Sequence, residues 1–600
     1  MPDNPRTLET PAPRDLPTYT IFVEGTALEK SYQVLIVRVQ KEVNRVPTAY
    51  ITLKDGEPAP GGSSSGRGAA AAKPQNFAIS NGAQFIPGNK LEIKAGYHGK
   101  EKTIFNGIVV RHGIEARTSG GSRLNLLCKD AYVKTTIVPR RRYFTDKKDS
   151  DIAEEIVQTY PGLQIDADTT TTTHKELIQY DATDWDYLVM RAETNGMLCL
   201  ADDGTLKITK PDFTQKPIVA LQYGATMLDF EAEMDARNQF SAVKTTTWNY
   251  TDQELTEAEA NEPTVGAQGN LSGPDIAKAL DAELTLQHGG KLKTEELQTW
   301  ADAALLKRRM AKIQGRVRLF GTADIKPGTV INLGGLGERF NGDAFVTGVS
   351  HRLEDGGWQS DIQFGLNPRW FVTEVDVRQP PASGVVPAIS GLQIGVVTGL
   401  EGDETSEERI LVRLPVIDPA AEGTRARIVS LDAGDERGFF FRPQIGDEVV
   451  VGFLNNDPRD AIVLGSLHGS QKKLPDPFVT KDDNHLKGYV SRSKMKLIFD
   501  DEKTILTIKT PAGNQLLLDE DAKNITLKDQ HGNKLVMNDQ GIQIESSKDI
   551  TLKAASGNVN VEGLGVELKA NAQFKASGSA GVDISSAART VVKGSIVQIN

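Results

Sequence analysis

Residues 524–584 read NITLKDQHGNKLVMNDQGIQIESSKDITLKAASGNVNVEGLGVELKANAQFKASGSAGVDI. Apolar pairs recur along this stretch: Ile525/Leu527, Leu535/Met537, Ile542/Ile544, Ile550/Leu552, Val559/Val561 and Val566/Leu568, then Phe574, then Val582/Ile584. The seven steps from Ile525 to Val582 average about eight residues each. Within a pair the apolar residues alternate with a polar one, which is a strand pattern. Gly, Asn, Asp and Ser fill most of the gaps, as at Gly532-Asn533 and Ser556-Gly557-Asn558. A short fixed period of strand plus turn is the signature of a β-solenoid.

An eight-residue repeat supplies about four strand residues and two inward side chains. One chain cannot close a core with so little; it would leave free strand edges and an apolar stripe in water. Three chains, each giving one wall of a triangular prism, remove both defects. Roughly 15 such side chains at about 1.5–3 kcal/mol each amount to tens of kcal/mol of gross burial per chain. Burial therefore decides the oligomeric state, and the expected symmetry is C3. The needle core is assigned to Ile525, Leu527, Leu535, Met537, Ile542, Ile544, Ile550, Leu552, Val559, Val561, Val566, Leu568, Phe574, Val582 and Ile584. The sequence closes on Gly594 to Asn600, still in strand pattern. The apolar tip at Ile596, Val597 and Ile599 is expected to be covered by a separate cap protein.

Upstream of the repeat the pattern changes twice. Between Gly384 and Leu474 five β-rich segments appear: Leu392 to Val397, Arg409 to Leu414, Arg425 to Leu431, Glu448 to Leu454 and Ala461 to Leu467. Five strands in about 90 residues fit a small barrel. From Tyr19 to about Pro380 the reading is α+β. Strands are expected at 19–23, 34–39, 49–53, 90–93, 104–110 and 124–127. Helices are expected at 149–160, 183–195 and 295–313, with a Thr183…Asp186 capping pair and a stop at Gly196. The stretch GEPAPGGSSSGRGAAAAKP at 56–74 reads as a mobile hairpin loop, and residues 1–17 as a flexible arm.

The 600 residues carry 69 Lys/Arg and 80 Asp/Glu, a net charge of −11. An acidic chain is a poor nucleic-acid binder, so none is expected as a partner. The dense basic run Arg140-Arg141-Arg142 reads as a solvated strand end or a salt-bridge site. From His485 onward there are 15 Lys/Arg and 13 Asp/Glu, so the acidity lies upstream of the repeat. Cys128 and Cys199 sit among apolar neighbours and read as buried free thiols. No run of 18 apolar residues and no secretory h-region is found.

The segment Arg442-Pro443-Gln444-Ile445-Gly446-Asp447-Glu448-Val449-Val450-Val451-Gly452-Phe453, with Asn455-Asn456-Asp457-Pro458-Arg459-Asp460 and Val463-Leu464-Gly465-Ser466-Leu467, resembles the OB-barrel signature of VgrG spike proteins. Its marker positions are Pro443, Gly446, Asp447, Asp457, Pro458, Gly465 and Leu467. Leu177 to Tyr180, Thr183 to Leu188 and Arg191 to Gly196 are similar to the hub helix of the same family. The opening, with Tyr32 to Leu35, Lys41 to Asn44 and Ile86-Pro87-Gly88, looks closer to the extracellular phage-tail-like particles than to type VI members. The resemblance implies a multidomain chain. A flexible arm at 1–17 precedes an α+β phage-hub-like region at 18–380, expected as two tube-like subdomains plus a helical insert. An OB-fold β-barrel at 385–473, a linker at 474–490 and a trimeric β-helix needle at 491–600 follow. The implied function is the structural central spike and hub of a contractile injection system. The implied partners are two further copies of the chain, the inner tube protein, baseplate proteins, a PAAR-like tip cap and an effector cargo. The target membrane is met only on injection, by a particle assembled in the cytoplasm and acting outside the cell.

Catalysis is not expected. The eight histidines are scattered, and neither a His-Glu-x-x-His, a Gly-x-Ser-x-Gly nor a phosphate-loop pattern occurs. Gly334-Gly335-Leu336-Gly337 reads as a turn. About ten residues separate Leu474 from His485, too few for an inserted enzyme domain, and none is expected beyond Asn600. The pairs Asp202-Asp203 and Asp482-Asp483 read as solvated carboxylates, and neither a cofactor nor a metal is expected. A trimeric adhesive or carbohydrate-acting β-helical tail fibre is the alternative. The single aromatic after residue 500, Phe574, disfavours sugar stacking.

Overall fold

The computed structural model describes residues 16–56, 77–117 and 121–599. The arm at 1–17 and the loop at 56–74 fall almost wholly outside the described residues. The chain divides into two compact units, Met1–Ser383 and Gly384–Asn600.

In the first unit a 13-stranded sheet is built from two stretches of chain. The early stretch gives Pro17–Val23, Val34–Glu42, Thr48–Lys54, Lys90–Tyr97, Lys100–Glu115 and Arg123–Lys129. The late stretch gives Met227–Met234, Ile313–Phe320, Gly342–Glu354 and Gly357–Phe364, among others. They join where Gly342–Glu354 pairs antiparallel with Val34–Glu42, placing Val349 opposite Lys41 and Leu353 opposite Val37. The period-two pattern of Val34–Glu42 explains its place: Val37, Val39 and Lys41 are buried, while Arg38 and Gln40 are exposed. Val37, Ile51, Ile93, Phe105 and Leu124 belong to one core, and Val317, Ile331, Val346 and Phe364 to a second. All six early strand expectations are met.

One close approach is dictated by glycine. The ring of Trp358, 3 % exposed and stacked on Tyr97, lies against Gly321, where a Cβ would sit 1.8 Å from the indole. The Gly321 N–H donates to the Trp358 carbonyl at 2.9 Å, so the backbone cannot withdraw freely. Gly321→Ala is expected to lower stability by about 1–3 kcal/mol, checked by denaturant titration.

After Lys129 the chain leaves the sheet and folds a helical insert around Tyr132, Ile156, Trp185, Leu188 and Leu206. Its helices are α1 (Asp149–Gln158) and α2 (Asp184–Thr194). Thr183 caps α2: its hydroxyl oxygen accepts from the Asp186 N–H at 3.2 Å. The Asp186 carboxylate accepts from the Thr183 hydroxyl, not from its amide as Glu would. Gly196, at φ +68°, ends the turn that follows. A third long helix, α3 (Thr294–Met310), lies later in the chain.

The second unit opens with a closed barrel of Gln393–Gly399, Ile410–Arg413, Thr424–Ile428, Glu448–Phe453 and Ala461–Ser466. All five expected segments are present. Val397, Ile410, Val412, Ala426, Val449, Val451 and Val463 fill the inside. Seven short strands then follow from Leu486 to Glu545, each paired antiparallel with the next.

Candidate functional site

The seven-strand stack runs Leu486–Val490, Lys496–Asp500, Ile505–Lys509, Gln515–Asp519, Asn524–Lys528, Lys534–Asn538 and Gly541–Glu545. Its register aligns the apolar pairs. Tyr489 faces Leu497, and Leu497 faces Ile508. Ile508 faces Leu516, Leu516 faces Leu527, and Leu527 faces Leu535 and, beyond it, Ile544. A second column runs Phe499, Leu506, Leu518, Ile525, Met537, Ile542. Side chains opposite one another in adjacent strands share a face. One face of the stack is therefore a ladder two apolar residues wide. The described residues do not cover it fully: Phe499, Leu527 and Ile542 are 46 %, 55 % and 70 % exposed.

The six needle-core residues from Ile525 to Ile544 all lie in this ladder. The other nine, from Ile550 to Ile584, lie in residues 546–599, where no strand forms within the chain and every one is exposed. The same holds for Ile596, Val597 and Ile599 at the tip. In one chain the expected needle is an open antiparallel sheet over 486–545, followed by strandless octads. Beyond residue 545 the octads find no pairing strand in their own chain. The structure also extends the ladder upward to Leu497/Phe499, Leu506/Ile508 and Leu516/Leu518, which the repeat reading did not include.

The barrel markers sit at turns and strand ends. Gly446, at φ +87°, donates its N–H to Val397 at 2.8 Å. The Asp447 carboxylate accepts from the Gln444 N–H at 2.8 Å, closing the turn that follows Pro443. Asp457 accepts from the Arg459 backbone and guanidinium at 2.9 and 2.6 Å, which holds its carboxyl down at about 2. Pro458 lies inside that turn. Gly465 faces Val450 at a bulge, and Leu467 donates its N–H to the Glu448 carbonyl at 3.0 Å. These positions shape the barrel and bring no reactive groups together.

Several buried titratable groups of the first unit are tied to one another. Asp149, at the start of α1, accepts from Arg191 Nε at 2.6 Å, from Asn195 at 2.9 Å and from His174 Nε2 at 3.1 Å. His174 Nδ1 lies 3.0 Å from Glu296 of α3. With a carboxylate at each ring nitrogen, only the doubly protonated imidazole satisfies both. Those hydrogen bonds push His174 up to about 9 against the opposing pull of burial. Burial raises the Asp149 carboxyl, but His174, Arg191 and Asn195 outweigh it and hold it well below the ordinary range. Asp202 and Asp203 are not the solvated pair expected: both bond the buried Lys41, and Asp202 also takes Lys326 at 2.6 Å. Arg142 grips Asp184 with two 2.7 Å bonds and Arg141 takes Asp181 at 2.6 Å, so the basic run serves ion pairs. Cys128 and Cys199 are buried free thiols, and burial pushes Cys128 up to about 12.

Among the described residues, potential metal ligands meet at His485, Asp500 and Glu502, within 4.8 Å of one another. Asp500 already accepts from the Glu502 and Lys503 amides, Glu502 is largely exposed, and His485 Nδ1 is 3.1 Å from Asp483. This is the hydrogen bonding of an ordinary acidic turn.

The sequence matches three family descriptions. Residues 13–355, more than half of the chain, match the Alg8 N-terminal domain. Residues 393–468 match the type VI secretion system/phage-baseplate injector OB domain, and 505–565 the phage baseplate V C-terminal trimerisation domain. The type VI secretion system spike protein VgrG5 of Pseudomonas aeruginosa is 29 % identical over 125 residues, covering 20 % of this chain and 16 % of that protein. VgrG4b of the same organism is 32 % identical over 123 residues, covering 19 % and 15 %. The chain thus spans less than a fifth of the length of these relatives. A solved tail protein from Neisseria meningitidis covers 59 % of this chain and 98 % of itself, at 14 % identity and a TM-score of 0.42. The chain belongs to the family defined by the Alg8 N-terminal domain, and it is a VgrG- and phage-tail-spike-like protein related to type VI secretion and phage-baseplate proteins.

Proposed function

We propose that three copies of this chain form the central spike and hub of a contractile injection system, joining an inner tube to a cell-puncturing needle. The uncovered apolar ladder carries this reading. A row of apolar side chains two residues wide over six strands, headed by Tyr489, is unstable in water, and two identical ladders brought against it bury all three. The strandless octads from 546 onward gain strand partners from the same two neighbours. The match of 505–565 to a trimerisation domain supports the stoichiometry. Interwound strands with every backbone group paired make a stiff rod, which a puncturing device needs under compression.

The role is structural, not catalytic. By family analogy the 13-stranded sheet and its insert dock on the inner tube and baseplate. The tip at Ile596, Val597 and Ile599 takes a PAAR-like cap, and effector cargo travels with it. Assembly is cytoplasmic and action extracellular, with the target membrane crossed only on injection. A trimeric adhesive or carbohydrate-acting fibre has the same need for a three-chain prism but no use for the closed barrel and the large sheet. The deciding measurement is the mass of the purified full chain in solution. Three times 65.2 kDa is expected. A folded, monodisperse particle of 65.2 kDa would overturn the proposal.

A further inference from the structure

The apolar ladder does not begin at the first strand of the stack. Upstream, the barrel's loop carries Phe439, Phe440 and Phe441, which are 55 %, 77 % and 59 % exposed. Extended backbone sends Phe439 and Phe441 to the same side, where their rings stack at 6.1 Å. Phe441 then meets Tyr489 edge-on at 5.0 Å. Tyr489 lies on the ladder face, opposite Leu497. The aromatic group is therefore continuous with the ladder.

The two faces of the first hairpin are treated differently. On the far side, the ring of Phe478 packs over Gly488, where a Cβ would sit 2.9 Å from the ring. Gly488, at φ +157°, leaves that space open. The chain's own linker thus shields the back of the hairpin, while Tyr489, Phe441 and Phe439 on the front stay 49 %, 59 % and 55 % exposed. Beside them the barrel forms a groove of about 360 Å³, whose walls include Val429, Leu431 and Phe439. Leu431 is 93 % exposed.

We propose that Phe439, Phe441 and Tyr489 form an aromatic collar that seats against the neighbouring copies of this chain, carrying the three-fold interface from the needle up to the barrels. This rests on the trimer reading and adds a second contact region to it. A single-stranded nucleic acid, the other ligand class for exposed aromatics on such a barrel, needs a cationic track. This groove instead has Glu407 and Glu408 beside Arg427 and Arg442, and Arg442 is spent on Glu408 and on the Phe440 ring.

The test uses the full chain with Phe439→Cys and, separately, Tyr489→Cys. Native thiols give little background in the folded chain, because Cys128 and Cys199 are buried, and their labelling in urea is subtracted using the parent chain. Solution mass is measured alongside the rate of maleimide labelling. The expected result is a trimer in which both introduced thiols react at least about tenfold more slowly than in the urea-unfolded chain. A trimer in which both label as fast as the unfolded chain overturns the collar and leaves the needle trimer standing. A monomer overturns both. Salt-sensitive oligonucleotide binding that protects both thiols, in a trimer that otherwise labels freely, assigns the aromatics to nucleic acid and also overturns the collar.

Discussion

Leu527→Asp is expected to abolish the trimer. Leu527 stands in the middle of the ladder, between Leu516 and Leu535 on the adjacent strands. In one chain the substitution costs little, because Leu527 is already 55 % exposed. In a trimer it places three carboxylates near one axis in a site with no cation to meet them. Like charges in a dry site cannot all ionise, so each carboxyl must take up a proton or the assembly must open. Each route costs several kcal/mol per chain, on top of about 1.5–3 kcal/mol of lost leucine burial. The variant should run as a monomer or as loose aggregates in a solution mass measurement, while the folded barrel and the first unit keep their circular dichroism. Acidification below about pH 4 should partly restore association, because the ionisation term is then removed. A heat- and detergent-resistant Leu527→Asp trimer would show that the ladder does not face a three-fold axis.

What the sequence made legible follows from how local each signal is. The five barrel strands carry their own alternation and are fenced by Gly and Pro, so a short window suffices to find them. The caps of α2 are equally local. Two of the three upper rungs of the ladder were hidden by their neighbours. In Leu497-Ile498-Phe499 and Leu516-Leu517-Leu518 the middle residue is also apolar, which erases the alternation that marks Ile525-Thr526-Leu527. Only the register, with Leu516 opposite Leu527 and Leu518 opposite Ile525, shows which two of the three lie on the ladder face. The octads beyond residue 545 are the opposite case. Their pattern is clear, but pattern fixes which side chains share a face and does not supply the second strand. Ion-pair partners were out of reach altogether. Asp202-Asp203 looks solvated in its own window because Lys41 is some 160 residues away, and Asp149, His174, Arg191 and Glu296 meet only after three helices and a strand have packed.

That last cluster gives the second large effect. It ties α1 through Asp149, α2 through Arg191, α3 through Glu296, and the strand Thr173–Thr183 through His174. Asp149→Ala leaves Arg191 and His174 facing each other at 3.3 Å with no carboxylate between them, in a place that water does not reach easily. Breaking a buried pair from one side costs about 3–5 kcal/mol, which should appear as a clear fall in the unfolding midpoint of the first unit. The pH dependence has a definite sign. The folded-state pKa of His174 is raised to about 9, above about 6.5 in the unfolded chain. Its contribution, of order 3 kcal/mol, is complete below pH 6.5 and is lost as the pH climbs through 9. The depressed carboxyl of Asp149 acts in the opposite direction. Its share is present above about pH 4 and disappears as the pH falls below that. The first unit should therefore be most stable between about pH 4 and 6.5, and should soften through the alkaline range. Thermal melts of the full chain across pH 5 to 10 test this directly. His174→Gln, which keeps hydrogen-bonding capacity but cannot titrate, should flatten the decline between pH 6.5 and 9. An unchanged slope in that variant would mean that the proton resides elsewhere and that the imidazolium does not hold the three helices together.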